Sequence, residues 1–266
     1  MKLWYQSLVR DIDKSPYGGL LRKAIDACVD PGTQVDIHGI EHSSGFGVHY
    51  RFLEYHDMKE VIYNAMRAEK EGYDAFLIGN SSDAGIREAR EVANIPVLGL
   101  SETSLHIACM MGATFGLMTV SEKWTPRNIE NVRRAGLESR LVGCVALNTS
   151  PLELKKAMVE KARRDKVMSD FTAGARSLIE RGAEVIIPAG GDIIVFLAED
   201  GVFEIDGAPV LNGIFELVKM GEVTAKLRAI SGGRFKSRRL GYAAPSGDFL
   251  KRIRDFYGPD VYPGAQ

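Results

Sequence analysis

Short apolar-rich runs alternate with helical patterns along nearly the whole chain, and this alternation most restricts what the chain can become. One run, Phe76-Leu77-Ile78, stops at Gly79, passes into the polar loop Asn80-Ser81-Ser82-Asp83, and gives way to a helical pattern beyond Gly85. The same reading predicts strands over 3–9, 34–39, 73–78, 96–100, 114–120, 141–147, 184–188 and 209–212. Helices are expected over 20–29, 58–71, 86–92, 103–111, 126–135, 152–181, 193–197 and 213–229. Strands that are apolar on both faces and separated by helices belong to parallel sheets covered on each side, so the predicted class is α/β.

Composition narrows the function. The 266 residues suffice for one large domain or two smaller ones, each with its own core. The net charge of −1 offers no electrostatic footprint for nucleic acid. A local cationic cluster, Arg234, Lys236, Arg238 and Arg239, is read as a solvated or interface segment. Cys28, Cys109 and Cys144 are far apart and form no C-x-x-C pair, which excludes zinc-ribbon and thioredoxin-type sites. Neither a leader-like start nor an apolar run near membrane-spanning length is evident, so a cytoplasmic protein with free thiols is expected.

The two halves resemble each other. Residues 73–85 lead through a helix to Ile95-Pro96-Val97-Leu98-Gly99, and residues 183–194 lead through a helix to Ala208-Pro209-Val210-Leu211. The polar loops begin 110 positions apart, at Asn80 and Gly190; the Pro-Val-Leu runs begin 113 apart, at Pro96 and Pro209. Two pseudo-symmetric α/β units are expected, one from 1–102 with 213–230 and the other from 103–212. Residues 231–266, rich in Gly, Pro and Tyr with one short amphipathic helix near 248–256, form an extension that packs over a domain or clasps a neighbouring subunit.

In open parallel sheets ligands sit beyond the carboxyl ends of the strands, where helix N-termini present unpaired N–H groups to anions. Asn80-Ser81-Ser82-Asp83 and Gly190-Gly191-Asp192 are such loops, one per half, and facing halves bring them to one cleft. Asn, Ser, Gly and Asp are also ordinary turn and cap residues, so the matched pair carries more weight than either loop.

The pattern Ile78-Gly79, Asp83, Gly85, Ala89-Arg90 and 95-IPVLG-99, supported by 182-GAEVIIPAGGD-192 and 208-APVLNGI-214, resembles the aspartate/glutamate/hydantoin racemase superfamily in its hydantoin- and allantoin-racemase branch. The similarity runs from about residue 2 to 227. It implies an active site between two α/β units and cofactor-free carbon-acid chemistry on small carboxylates or cyclic amides. It also implies a thiol in each loop, one removing a proton and the other returning it on the opposite face. This chain departs at both places: the first thiol position is Asn80 and the second is Gly190, and its three cysteines lie elsewhere, where small apolar core roles are their default.

Other residues must then carry the chemistry. Asn80, Ser81 and Ser82 can donate to an oxyanion or carboxylate, and Ser81 can act as a nucleophile beside a base. Asp192 is the expected general base, with a helix N-cap as its alternative role; Asp83 is placed as the cap of the helix that follows it. Glu102 begins a helix, where the dipole favours a carboxylate whether or not it is catalytic. The resemblance also implies that Ser7 and Ser121, at strand ends, hold a substrate carboxylate together with Gly190 and Gly191. His38, His42, His49 and His56 cluster in sequence without completing a metal set. A loop carrying Glu41, His42 and His49 is a candidate lid with Gly45 and Gly47 as hinges, and His49 a candidate acid or base.

Three functions fit these residues. One is a superfamily enzyme with non-thiol hydrolase, lyase or isomerase chemistry on a small carboxylate or amide. Another is a racemase or epimerase using Asp, Glu or His bases. A third is a non-catalytic small-molecule binder on the same scaffold. Each expects a homo-oligomer with no cofactor, metal, nucleic-acid or membrane partner.

Overall fold

The computed structural model describes residues 1–43 and 49–265, so the proposed hinges Gly45 and Gly47 lie outside the described residues. Two parallel sheets carry the fold. The first is built from β1 (Lys2–Arg10), β2 (Gln34–Ile40), β3 (Ala75–Ile78) and β4 (Val97–Gly99) in the order β2-β1-β3-β4. The second contains β5 (Phe115–Thr119), β6 (Leu141–Ala146) and β7 (Val185–Ala189) in the order β6-β5-β7. β3, β5 and β7 are buried at every position, as expected of strands covered on both faces.

Helices flank both sheets: α1 (Pro16–Cys28), α2 (Arg51–Lys70), α3 (Ile86–Val92), α4 (Leu100–Met111), α5 (Thr125–Ala135), α6 (Pro151–Ala157), α7 (Lys161–Glu180), α8 (Gly191–Asp200) and α9 (Ile214–Ile230). Their ends follow local chemistry. Pro16 and Pro126 sit in the first turns of α1 and α5, where a missing N–H costs nothing. Ser150 caps α6 by accepting the Glu153 N–H at 3.2 Å. Beyond α7 the chain turns back at Gly182, with Ala183 N–H donating to Leu178 O at 3.0 Å. α9 packs on β3 and β4, returning the chain to the first sheet.

Two sequence expectations change. The helix foreseen over 152–181 is two helices with a break at 158–160, because the turn lets Leu154 and Ala157 of α6 join the core that holds Phe171, Ala175 and Leu178 of α7. The strand foreseen over 209–212 is reduced to an antiparallel hairpin, β8 (Glu204–Ile205) with β9 (Ala208–Pro209), plus a single parallel bridge from Val210 to Ile186. Pro209 has no N–H to give a ladder, which keeps the run at the sheet's margin.

The largest core joins both sheets: Leu3, Tyr5 and Leu77 of the first share it with Met118 and Ile186 of the second. The extension, with α10 (Gly247–Tyr257), folds back on its own chain: Tyr262 Oη donates to Glu91 at 2.6 Å, and Lys70 meets Asp260 at 2.6 Å. No helix among the described residues is long and apolar enough to cross a membrane.

Candidate active site

The carboxyl ends of both sheets open on one cavity of about 300 Å³. It is lined by Ser7 where β1 leaves its register with β2, Gly79-Asn80-Ser81 after β3, Val120-Ser121 after β5, Thr149-Ser150 after β6, and Gly190-Gly191-Asp192 after β7. The two loops matched in sequence therefore meet. Of the foreseen residues, Ser7, His49, Asn80, Ser81, Ser121, Gly190, Gly191 and Asp192 share the cavity.

The first loop is a set of oriented donors. Asn80 Oδ1 accepts the Ser82 N–H at 2.9 Å, so the acceptor half of the carboxamide is engaged and its NH₂ is left for the cavity. Ser81 Oγ accepts from the indole N–H of Trp124 at 3.2 Å, which frees its own O–H to donate elsewhere. Helix α5 holds the loop from behind. Arg127 donates to Ser82 O at 2.7 Å, Asn131 donates to Ser81 O at 3.0 Å, and Trp124 also reaches Ala189 O of β7 at 3.2 Å. Arg127 is fixed in turn by Glu54 of α2 at 3.1 Å.

The second loop supplies the acid. Asp192 stands in the first turn of α8, where N–H groups have no partner in the helix and a negative charge is favoured. Burial nonetheless pushes its carboxyl up to about 6, with nearby Lys155 pulling the other way. A carboxyl in that range exchanges protons near neutral pH. Beside it, burial holds the Tyr17 phenol well above the usual tyrosine range, so it stays neutral. Gly191 has to be small: a Cβ there would lie 2.8 Å from Tyr17 Oη. A Cβ on Gly190 would lie 2.4 Å from Val120 Cγ2, so the second expected thiol position has no room for a side chain. His49 stands at the cavity with its pKa lowered by partial burial and by Lys123.

Four expectations are corrected. Glu102 lies away from the cavity, held by both guanidinium nitrogens of Arg90, because the carboxylate that opens α4 finds its partner on α3. Ser82 is fully buried behind the loop, contributing its backbone rather than its hydroxyl. Glu41 and His42 line a separate cleft between α2 and the extension, where Glu60 accepts their N–H groups. Asp83 also caps a different helix than foreseen. It accepts the N–H groups of Ser101 and Glu102 at 2.9 and 2.7 Å, at the start of α4 rather than α3, and burial raises its carboxyl to about 7.

Among the described residues lining the cavity there is no cysteine. Cys28 ends α1, Cys109 is in α4 and Cys144 in β6; burial pushes the Cys28 and Cys144 thiols up to about 11, away from reactivity. Residues that sequence reasoning missed also line the site, chiefly Tyr17, Lys123, Trp124, Thr149, Ser150 and Lys155. Ser150-Pro151 carries a helix-start signal directly after β6, which marks that strand end as a site position.

Comparison with known proteins agrees with this architecture. Over 177 residues the chain is 29% identical to a hydantoin racemase of Pseudomonas sp. (strain NS671), covering 65% of this chain and 67% of that one. A hydantoin racemase of Paenarthrobacter aurescens is 28% identical over 175 residues, covering 62% and 71%. Among solved structures, the allantoin racemase from Klebsiella pneumoniae superposes with a TM-score of 0.75 at 21% identity, covering 94% of this chain and 98% of that one, and so shares the fold. The family model for Asp/Glu/hydantoin racemases matches residues 21–220, and the chain belongs to that family.

Proposed function

We propose that the chain is an isomerase that moves a proton at a carbon acid next to a carbonyl, in a small cyclic amide of the hydantoin type, with Asp192 and His49 as its two proton carriers. The observation that carries this reading is Asp192: a carboxyl raised to about 6 that lines the same cavity as the donors of Asn80 and Ser81. The relatives' racemase activities favour isomerisation over the hydrolase and lyase alternatives.

In the forward step the Asp192 carboxylate takes the proton from the carbon. The C–H electron pair moves into the adjacent carbonyl, whose oxygen becomes an oxyanion held by Asn80 NH₂ and Ser81 O–H. Each well-placed donor of this kind contributes about 3–4 kcal/mol to the transition state. Protonated His49 then returns a proton to the opposite face, leaving Asp192 protonated and His49 neutral; exchange with water resets the pair. The Asn80 carboxamide neither gains nor loses a proton to become charged near neutral pH, so its part is to bind charge rather than to act as a base.

The test is proton–deuterium exchange at the carbon of single enantiomers of 5-substituted hydantoins and allantoin in D₂O, read by NMR with polarimetry. Wild type should exchange and invert both enantiomers. Asp192→Asn should stop exchange from one enantiomer, and His49→Gln from the other. Absence of exchange with hydantoins, allantoin, aspartate and glutamate alike would overturn the proposal.

A further inference from the structure

Among the described residues, every cationic side chain on α6 and the following helix up to Lys166 has an acidic partner except one. Lys156 pairs with Glu153, Lys161 with Asp165, Arg163 with Glu153 and Glu160, Arg164 with Asp200, and Lys166 with Asp170. Lys155 has no such partner among the described residues, and it lines the cavity. Across the same cavity Lys123 is also without a carboxylate partner among the described residues; its ammonium sits 4.7 Å from the Tyr50 ring centroid, beside His49. Among the described residues the lining thus holds two lysines and a histidine against a single carboxyl, Asp192.

A neutral cyclic amide gives these lysines nothing to neutralise. Resting on the carbon-acid reading above, we infer that the substrate is a cyclic amide bearing a carboxylate on its side chain, and that Lys155 receives that carboxylate while the ring carbonyl meets Asn80 and Ser81. A carboxylate there meets an ammonium through a charge-assisted hydrogen bond in a partly dry cavity, stronger than the same contact in open water. Lys155 also sits close enough to Asp192 to lower its carboxyl's pKa, so a bound anion on Lys155 offsets that pull and keeps Asp192 proton-accepting.

Hydantoin-5-acetic acid and its methyl ester test this, with binding measured by titration calorimetry to wild type, Lys155→Met and Lys123→Met. The acid should bind wild type about tenfold tighter than the ester, and Lys155→Met should reduce that preference to about twofold or less, whereas Lys123→Met has the smaller effect. In kinetics with the acid the Lys155→Met defect should fall mainly on KM, and the acidic limb of its pH–rate profile should move upward as Asp192 loses its cation. Equal binding of acid and ester to wild type overturns the inference, as does a Lys155→Met variant that weakens both probes alike, or no binding of either. Because binding is read without turnover, the two ideas separate. A Lys155-dependent preference without proton exchange sinks the isomerase reading alone; exchange without the preference sinks the carboxylate alone.

Discussion

The indole N–H of Trp124 donates to Ser81 Oγ at 3.2 Å and, from the same hydrogen, to Ala189 O at 3.2 Å. One buried side chain thereby ties the loop after β3 to the end of β7, and the donor loop is held in register with the acid loop. Trp124→Phe keeps an aromatic ring, though a smaller one, and removes the donor, leaving two buried acceptors short of a partner. The expected cost is about 1–3 kcal/mol in stability by chemical denaturation, with kcat falling more than KM rises. A variant of unchanged stability and unchanged kcat would show that the bridge holds nothing.

The carboxamide of Asn80 separates donation from acceptance. Asn80→Asp retains an oxygen for the Ser82 N–H but turns the cavity-facing donor into an acceptor carrying negative charge; Asn80→Ala removes both. Losing the donor should lower kcat/KM about 10²–10³-fold. Asn80→Asp should be worse than Asn80→Ala because a carboxylate then repels the developing oxyanion. The reverse order in steady-state kinetics would mean that Asn80 does not face the charge.

The paired helix cations can be tested through Arg127, which joins Glu54, Asn131 and Ser82 O behind the loop with its side chain 13% exposed. Arg127→Ala strands Glu54 and the Ser82 carbonyl, and breaking a buried pair by removing one partner costs about 3–5 kcal/mol. Arg127→Ala combined with Glu54→Leu should recover part of that stability but not the activity, since Ser82 O remains unheld. Full recovery of both by the double variant would remove Arg127 from any positioning role.

Much of this was legible in the sequence because it is local. An apolar run ending in small polar residues marks a strand end and a helix start together, and so Asn80, Ser81, Gly190 and Asp192 were found without knowing how the halves meet. Glu102 shows the complementary case: its position at a helix start is local, but its partner Arg90 lies on the preceding helix, a pairing only the fold sets. Trp124, Arg127 and Asn131 share one face of α5, yet nothing in their spacing says that the face meets the loop of the other half. Lys155 falls in a stretch whose pattern is that of one long helix, and the break after α6 gives that helix a separate end beside the cavity.

Asp192 links activity and stability through pH. Its carboxyl, held up to about 6 in the fold against an ordinary 3.8, binds its proton more tightly folded than unfolded. Stability from this group is therefore fully present below about pH 4 and is lost as pH rises through about 6, a penalty of about 3 kcal/mol at most. Asp192→Asn should raise the melting temperature at pH 8 and leave it unchanged at pH 3.5. With His49 held below its usual range by partial burial and by Lys123, the singly protonated pair is most populated on the acid side of neutrality, so the isomerisation rate should be bell-shaped with its maximum below pH 7. A rate that is flat from pH 5 to 8 would exclude the pair as proton carriers.

At position 190, where the resemblance implies a thiol, space decides what the site can hold. Gly190 sits at φ −173°, an extended backbone that any residue adopts, so no backbone strain reserves the position for glycine. What excludes a side chain is Val120, whose Cγ2 would stand 2.4 Å from the new Cβ, and whose β-branched side chain has little freedom to turn away. Gly190→Cys should therefore destabilise the fold by about 1–3 kcal/mol, the usual cost of overpacking a filled site. Val120→Ala removes the obstructing methyl and should return most of that loss in the Gly190→Cys/Val120→Ala double variant, giving a positive coupling in a denaturation cycle. At Asn80 the side chain already reaches the cavity, so Asn80→Cys should fold with little change and carry a thiol that reacts with an alkylating reagent. If Gly190→Cys is as stable as wild type without the Val120 change, the loop has freedom to move away and the steric account fails. If only the double variant is stable, packing at Val120 is what keeps a side chain from position 190.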